Sequence, residues 1–182
     1  MNIPIDVSQT ILHTNRLLLR PFKESDVDDL FEYASIDGVG QMAGWKPHQS
    51  KEESKAIIDL FINKKKTFAI EYNNKVIGSI GIEMYDEKLF PELDSLKGRE
   101  IGYVLSKDYW GRGIMPEGVQ EVMRYLFEDL GVDFLMCAHF GYNHQSKRVI
   151  EKCGFIHYAS TTKHTLIDTD EELEIYIKKK DF

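Results

Sequence analysis

With only two cysteines, Cys137 and Cys153, the 182-residue sequence has no basis for a disulfide framework. No apolar run approaches the roughly 20 residues that cross a bilayer. The first residues lack the basic-then-apolar pattern of a leader, so a cytoplasmic protein is expected. Internal repeats, low-complexity segments and linkers are also missing, and one domain over residues 1–182 is the natural reading. A cationic surplus is lacking too. Lys and Arg number 23 against 30 Asp and Glu, a net charge of −7. That balance argues against a general nucleic-acid or membrane-surface binder and suits a cationic or amine partner. His13, His139, His144, His157 and His164 have no metal-ligand spacing, and neither cysteine has a ligand partner near it in sequence, so no metal is expected.

What the chain does have is periodicity. Residues 10–22 read as a strand ended by Pro21. Ser25, three before Asp28, starts a short helix with Val27, Leu30, Phe31 and Ala34 on one face. Residues 36–49 are irregular. Ser50 and Glu53 repeat the capping box before a second helix marked by Ala56, Ile57, Leu60 and Phe61. From Thr67 the period falls to two, giving strands at 67–72 and 75–85 joined through Asn73 and Asn74, a tight-turn pair. Residues 86–98 read as a loop and 100–105 as the next strand. A long amphipathic helix follows, its apolar face carrying Val119, Val122, Met123, Leu126, Phe127 and Leu130, and Gly131 stops it. Residues 134–138 are a continuous apolar run, hence a buried strand. Asn143 can cap a helix to Lys152 that Gly154 closes. Residues 155–166 and 173–180 make a final hairpin. The unit over 100–138 implies one parallel pair, and the hairpins imply antiparallel ones. The expected class is α/β, with a central mixed, mostly antiparallel sheet of about seven strands and four helices on both its faces.

The most informative stretch is Tyr109-Trp110-Gly111-Arg112-Gly113-Ile114-Met115-Pro116-Glu117. Two glycines flank an arginine directly before the long helix, and Pro116 suits its first turn. Met115 has no side-chain oxygen to cap the first amides, so they are left to meet an anion. A P-loop would require Gly-Lys-Ser/Thr here, and a Rossmann turn a third glycine where Pro116 stands. The stretch resembles instead the pyrophosphate-binding turn of the GNAT acyltransferases, Gln/Arg-x-x-Gly-x-Gly/Ala. Trp110 takes the first position, Gly113 the fourth and Met115 the sixth; tryptophan and methionine depart from the pattern. Tyr-Trp-Gly-Arg-Gly is the form common in the branch resembling ribosomal-protein N-terminal (Rim-type) acetyltransferases. The element order fits the same family from about residue 10.

A second segment lies in register with the first. Asn143-His-Gln-Ser146-Lys-Arg148-Val-Ile-Glu-Lys-Cys-Gly154-Phe155 is similar to the Asn-x-x-Ser-x-Arg…Lys-x-Gly-Phe segment of that branch. The resemblance implies that Asn143 and Ser146 approach the thioester of acetyl-CoA, with Ser146 a candidate proton donor to the departing thiolate. A hydroxyl at a helix start lies in the positive end of the dipole, which favours a developing thiolate. Asn143 as a plain helix cap is the competing view. Glu100 aligns with the strand glutamate that takes the amine proton in several GNAT enzymes; an exposed strand glutamate beside Arg99 is the other reading of it.

The resemblance then implies strands splayed over 100–106 and 133–140 with pantetheine between them. The backbone of Tyr103, Val104 and Leu105 would pair with its amides, and Gly111, Arg112, Gly113, Ile114 and Met115 would hold the pyrophosphate. The 36–49 loop, with Trp45 as a wall, and the 159–172 hairpin would grip the acceptor. The function expected is an acetyl-CoA-dependent N-acetyltransferase, working as monomer or homodimer on a primary amine, foremost a protein or peptide N-terminus. A small-amine (polyamine or aminoglycoside) acetyltransferase and a non-catalytic acyl-CoA sensor remain open.

Overall fold

The computed structural model describes residues 1–180. Its strands are β1 (Leu12–His13), β2 (Leu18–Pro21), β3 (Thr67–Tyr72), β4 (Lys75–Glu83), β5 (Gly98–Leu105), β6 (Phe134–Phe140), β7 (Ile156–His164) and β8 (Asp170–Lys179). Its helices are α1 (Val27–Ala34), α2 (Lys51–Lys64), α3 (Ile114–Arg124) and α4 (His144–Lys152). All eight strands join one sheet in the order β1-β2-β3-β4-β5-β6-β8-β7. Every pairing is antiparallel except β5 with β6. Among the described residues no helix is long and apolar enough to cross a membrane.

Eight strands replace the expected seven because residues 10–22 are two strands. The chain reverses after β1, where the Thr14 N–H donates to the Leu17 carbonyl at 3.0 Å and the Leu17 N–H donates to Thr14 Oγ1 at 2.9 Å. Leu12 then lies opposite Leu19. The other local signals act as read. Asn73 and Asn74 take φ of 50° and 62°, the left-handed pair a two-residue hairpin requires. Ser50 Oγ accepts the Glu53 N–H at 3.2 Å, although the Glu53 carboxylate reaches back to Gln49 N instead of Ser50 N. Helix α3 starts at Ile114, so Pro116 is its third residue, still among the amides without an intrahelical partner. Its last turn widens to a π turn at Tyr125–Asp129 before Gly131 ends it.

Both faces of the sheet are covered. On one, Leu30, Tyr33 and Ala34 of α1 and Ile58 of α2 pack over Ala69 and Val76. On the other, Val119, Val122 and Leu126 of the third helix and its π turn and Ile150 of α4 cover Phe68, Ile70, Ile101 and Leu135. Fully burying one such side chain contributes about 1.5–3 kcal/mol. The 86–98 segment is more than a connecting loop. It carries a 3-10 turn at Pro91–Leu93, and Tyr85, Phe90 and Leu93 close over Phe134, Met136, Ile175 and Ile177.

The irregularity that matters is between β5 and β6. Their parallel ladder runs from Gly98 opposite Phe134 only to Ile101 opposite Cys137. On its outer edge β5 stays paired with β4 as far as Leu105 opposite Gly78. On its own outer edge β6 stays paired with β8 as far as Phe140 opposite Leu173. Held from outside and unpaired inside, the two strands separate over 102–105 and 138–140.

Candidate functional site

The separation opens a cleft of about 580 Å³. Tyr103, Val104 and Leu105 line one wall, Ala138, His139 and Phe140 the other, and Ile101 and Cys137 lie where the ladder ends. The inner backbone edge of β5 beyond Ile101 has no strand partner, which leaves N–H and C=O groups for an extended, amide-bearing ligand. Cys137 is buried, and burial pushes its thiol up, so it stays protonated.

At one end of the cleft is the glycine turn. Gly111 and Gly113 both have positive φ, 75° and 72°, a conformation other residues adopt only with strain. Gly111, Gly113, Ile114 and Met115 line the cleft, and among the described residues the N–H groups of 111–115 have no hydrogen-bond acceptor. Arg16 fixes this turn from behind: its Nη1 donates to the Arg112 carbonyl at 3.0 Å and its Nε to Glu117 at 2.7 Å. Glu117 also accepts from Thr14 Oγ1 at 2.5 Å. An acid in the first turn would repel an anion; here its charge is matched by Arg16. Trp110 packs beneath the turn, and its indole N–H donates to the Leu105 carbonyl at 2.9 Å, joining the end of β5 to the turn. Arg112 is not in the cleft wall. Its guanidinium stacks over Tyr109, 5.2 Å from the ring centre. Arg148 and Lys152 of α4 do line the cleft and supply cations to it.

At the other end α4 begins. Asn143 Oδ1 accepts the Ser146 N–H at 3.0 Å, an N-cap, and Asn143 Nδ2 donates to the Met42 carbonyl at 3.2 Å. Ser146 is half-buried on the cleft wall. Its Oγ lies 2.9 Å from the Tyr103 hydroxyl, which is also 3.2 Å from the Ser146 carbonyl. Burial holds the Tyr103 phenol well above its usual pKa, so it remains a donor at any working pH.

Glu100 faces the other side of the sheet. Ile101, Tyr103 and Leu105 point toward α3 and α4, whereas Val104 and, by the strand's alternation, Glu100 point toward the α1 and α2 side. Desolvation raises the Glu100 carboxyl, Lys163 of β7 draws it down, and Glu83, directly opposite on β4, raises it again. Glu83 is itself ion-paired to Lys66. The cleft thus passes between the strands with a carboxyl of raised pKa toward one face and a hydroxyl pair toward the other.

Trp45 does not line this cleft. Its ring lies over Gly40 and beside His48, 5.3 Å between centres, in the α1 and α2 core. The wall on the Glu100 side is instead Val39, Met42 and Ala43 of the same loop, with Leu173 of β8. Sequence reasoning did not find the Tyr103 hydroxyl, Arg16 or Lys163. Arg16 and Glu117 are 101 residues apart, and no local period links them.

A family model described as Acetyltransferase (GNAT) domain matches residues 16–156. N-acetyltransferase YoaA of Bacillus subtilis, itself uncharacterized, is 32% identical over 152 residues, 80% of this chain and 82% of that protein. Among solved structures, the microcin C7 self-immunity acetyltransferase MccE in complex with acetyl-CoA and AMP superposes with a TM-score of 0.76 at 18% identity, over 92% of this chain and 94% of that one. The ribosomal-protein-S5-alanine acetyltransferase of Vibrio fischeri gives 0.70 at 21% identity, over 95% and 98%. The structural likenesses speak for the fold; the family model and the relative of similar length go further. On them the chain belongs to the GNAT acetyltransferase family, and it is an N-acetyltransferase whose acetyl donor is acetyl-CoA.

Proposed function

We propose that the chain acetylates the N-terminal amine of a protein or peptide, by direct attack of the amine on the thioester. The observation that carries the chemistry is the division of the cleft: Glu100 toward one face, Ser146 with Tyr103 toward the other. Pantetheine would lie along the unpaired edge of Tyr103–Leu105, with the pyrophosphate on the amides of 111–115. Glu100, directly or through water, takes a proton from the attacking amine. The new C–N bond forms as the C–S bond breaks, and the sulfur takes its proton from the Ser146 hydroxyl, which Tyr103 polarises; as products leave, water in the open cleft returns a proton to Ser146 and takes the one held by Glu100. No covalent enzyme intermediate is needed.

For the acceptor, two things support an N-terminus. The wall of Met42 and Ala43 continues to the tip of the β7–β8 hairpin, where the Leu166 N–H donates to the Gly44 carbonyl at 3.0 Å and the Leu166 side chain stands 83% exposed. Such an apolar rim suits residues following an N-terminus better than a compact polycation. The fold is also that of the Vibrio fischeri enzyme that by its name acts on an S5 alanine. Thiol release from acetyl-CoA across N-terminal peptides, a polyamine and an aminoglycoside tests this. Peptides should give the highest kcat/KM; turnover confined to the polyamine or aminoglycoside would assign the small-amine reading instead.

Glu100 gives a pH prediction with a definite sign. Its raised pKa means that the base form gains population as pH rises through a value above the ordinary carboxylate range. The rate should rise with pH through one ionisation, and Glu100→Gln should remove that limb. Folding moves oppositely. A carboxyl with a raised native pKa contributes stability below its unfolded pKa and loses it as pH rises through the native one. Glu100→Gln should therefore melt higher than wild type at pH 8, the gap closing toward pH 4. An unchanged pH–rate curve in the variant would transfer the proton to water or to the substrate's own free amine.

A further inference from the structure

The loop forming the acceptor wall has little structure of its own. Between α1 and α2 it holds a single 3-10 turn, Gly40–Ala43. Three of its carbonyls, those of Asp37, Gln41 and Met42, are held from outside. Lys107 Nζ, just before the glycine turn, donates to the Asp37 carbonyl at 2.6 Å. The Tyr142 hydroxyl donates to the Gln41 carbonyl at 3.2 Å, and Asn143 Nδ2 to the Met42 carbonyl at 3.2 Å. The Lys107 and Tyr142 side chains are exposed. Asn143 is buried, 9% exposed, so water cannot replace its partners, and leaving either end of its amide unpaired costs about 1–3 kcal/mol. One orientation of the carboxamide satisfies both bonds, with Oδ1 on the Ser146 N–H and Nδ2 on the Met42 carbonyl.

Capping α4 uses only the oxygen. Serine, threonine or aspartate would cap as well. The nitrogen does what those residues cannot: it joins the start of the helix that carries Ser146 to a loop 101 residues away in sequence. We propose that Asn143 is a positioning residue for the acceptor. Its carboxamide sets the distance between the Met42 wall and Ser146, and so the distance between a bound amine and the thioester. This rests on the acetyltransferase reading of the cleft. The Asn143 carboxamide thus has a protein partner at both ends while it lines the cleft.

The test compares Asn143→Asp with Asn143→Ser. Both keep a cap acceptor for Ser146 N–H, both lose the donor to Met42, and only the first adds charge. In each, acceptor KM should rise about ten-fold, or about 1.4 kcal/mol at one decade per that amount. Affinity for acetyl-CoA should stay within about three-fold and the melting temperature within a few degrees. Hydrogen exchange at Gly44 and Trp45, whose N–H groups bond Gln41 and Gly40 within the turn, should quicken in both variants. That readout needs no turnover, so it separates this proposal from the activity: wild type that acetylates no amine would sink the acetyltransferase reading while exchange still reports the clamp. Unchanged acceptor KM and unchanged exchange in both variants would overturn the positioning role. So would a loss falling equally on acetyl-CoA affinity, which marks Asn143 as a cap alone.

Discussion

Gly113→Glu should lower affinity for acetyl-CoA by at least about a hundred-fold, about 2.8 kcal/mol at 1.4 per decade. Three effects add. The new side chain would have to hold a positive φ of 72°, a left-handed strain of about 1–2 kcal/mol. Its bulk would stand where a phosphate must approach the bare amides of 111–115. Its carboxylate would put a like charge at the positive end of α3. The fold should survive. A Cβ at Gly113 meets nothing nearer than Arg16 Nη2 at 3.7 Å, and that side chain is exposed enough to move. Gly113→Ala separates the effects, since it shares the strain and has neither bulk nor charge. Calorimetry should find the Gly113→Ala variant binding within about thirty-fold of wild type, the most that the strain alone gives at 1.4 kcal/mol per decade. If a folded Gly113→Glu variant kept full affinity, the turn would not be the phosphate site.

Much of this arrangement was legible because its signals are short-range. The Asn73 and Asn74 hairpin, the Ser50 cap, the Asn143 cap and the change from period two to period 3.6 each lie within a few residues. The turn at 14–17 was missed for a related reason. It has no glycine or proline, and what turns it is a threonine hydroxyl donating to a carboxylate 103 residues away while accepting the Leu17 N–H. Trp45 was given to the acceptor wall because a tryptophan in an irregular loop reads as a ligand surface. Gly40, with no side chain, instead lets the indole lie against the backbone in the core, and smaller neighbours line the cleft.

The chemical end of the cleft marks the same boundary. Alternation told which β5 residues share a face, but not that Tyr103 would reach across 43 residues to Ser146. Nor could it tell that Lys163, from the far edge of the sheet, would set the charge around Glu100. Pairings of that kind depend on strand order and on where β5 and β6 part. In this chain that parting is fixed by β4 and β8 holding the outer edges. No residue in the ladder itself announces it.

Ser146→Ala should reduce kcat by roughly ten- to a thousand-fold and leave acetyl-CoA affinity nearly unchanged. The ground-state thioester sulfur is a poor acceptor, so a hydrogen bond to it strengthens mainly as negative charge develops on leaving. An interaction made mainly in the transition state lowers kcat when deleted and spares binding. The Tyr103 hydroxyl, 2.9 Å from Ser146 Oγ, makes this more specific. With its proton held by burial, Tyr103 can donate to Ser146 Oγ while Ser146 turns its own proton to the sulfur, each bond polarising the next. Tyr103→Phe should then slow turnover in the same direction but less, by about two- to twelve-fold, the share of one neutral hydrogen bond. The double variant decides whether the two act as one unit. If Tyr103 acts only through Ser146, adding Tyr103→Phe to Ser146→Ala should cost almost nothing further, a coupling as large as the Tyr103→Phe effect itself. Independent, multiplicative losses would mean that the phenol acts elsewhere in the cleft. Weakened acetyl-CoA binding with kcat preserved in Ser146→Ala would reduce that hydroxyl to shaping the wall.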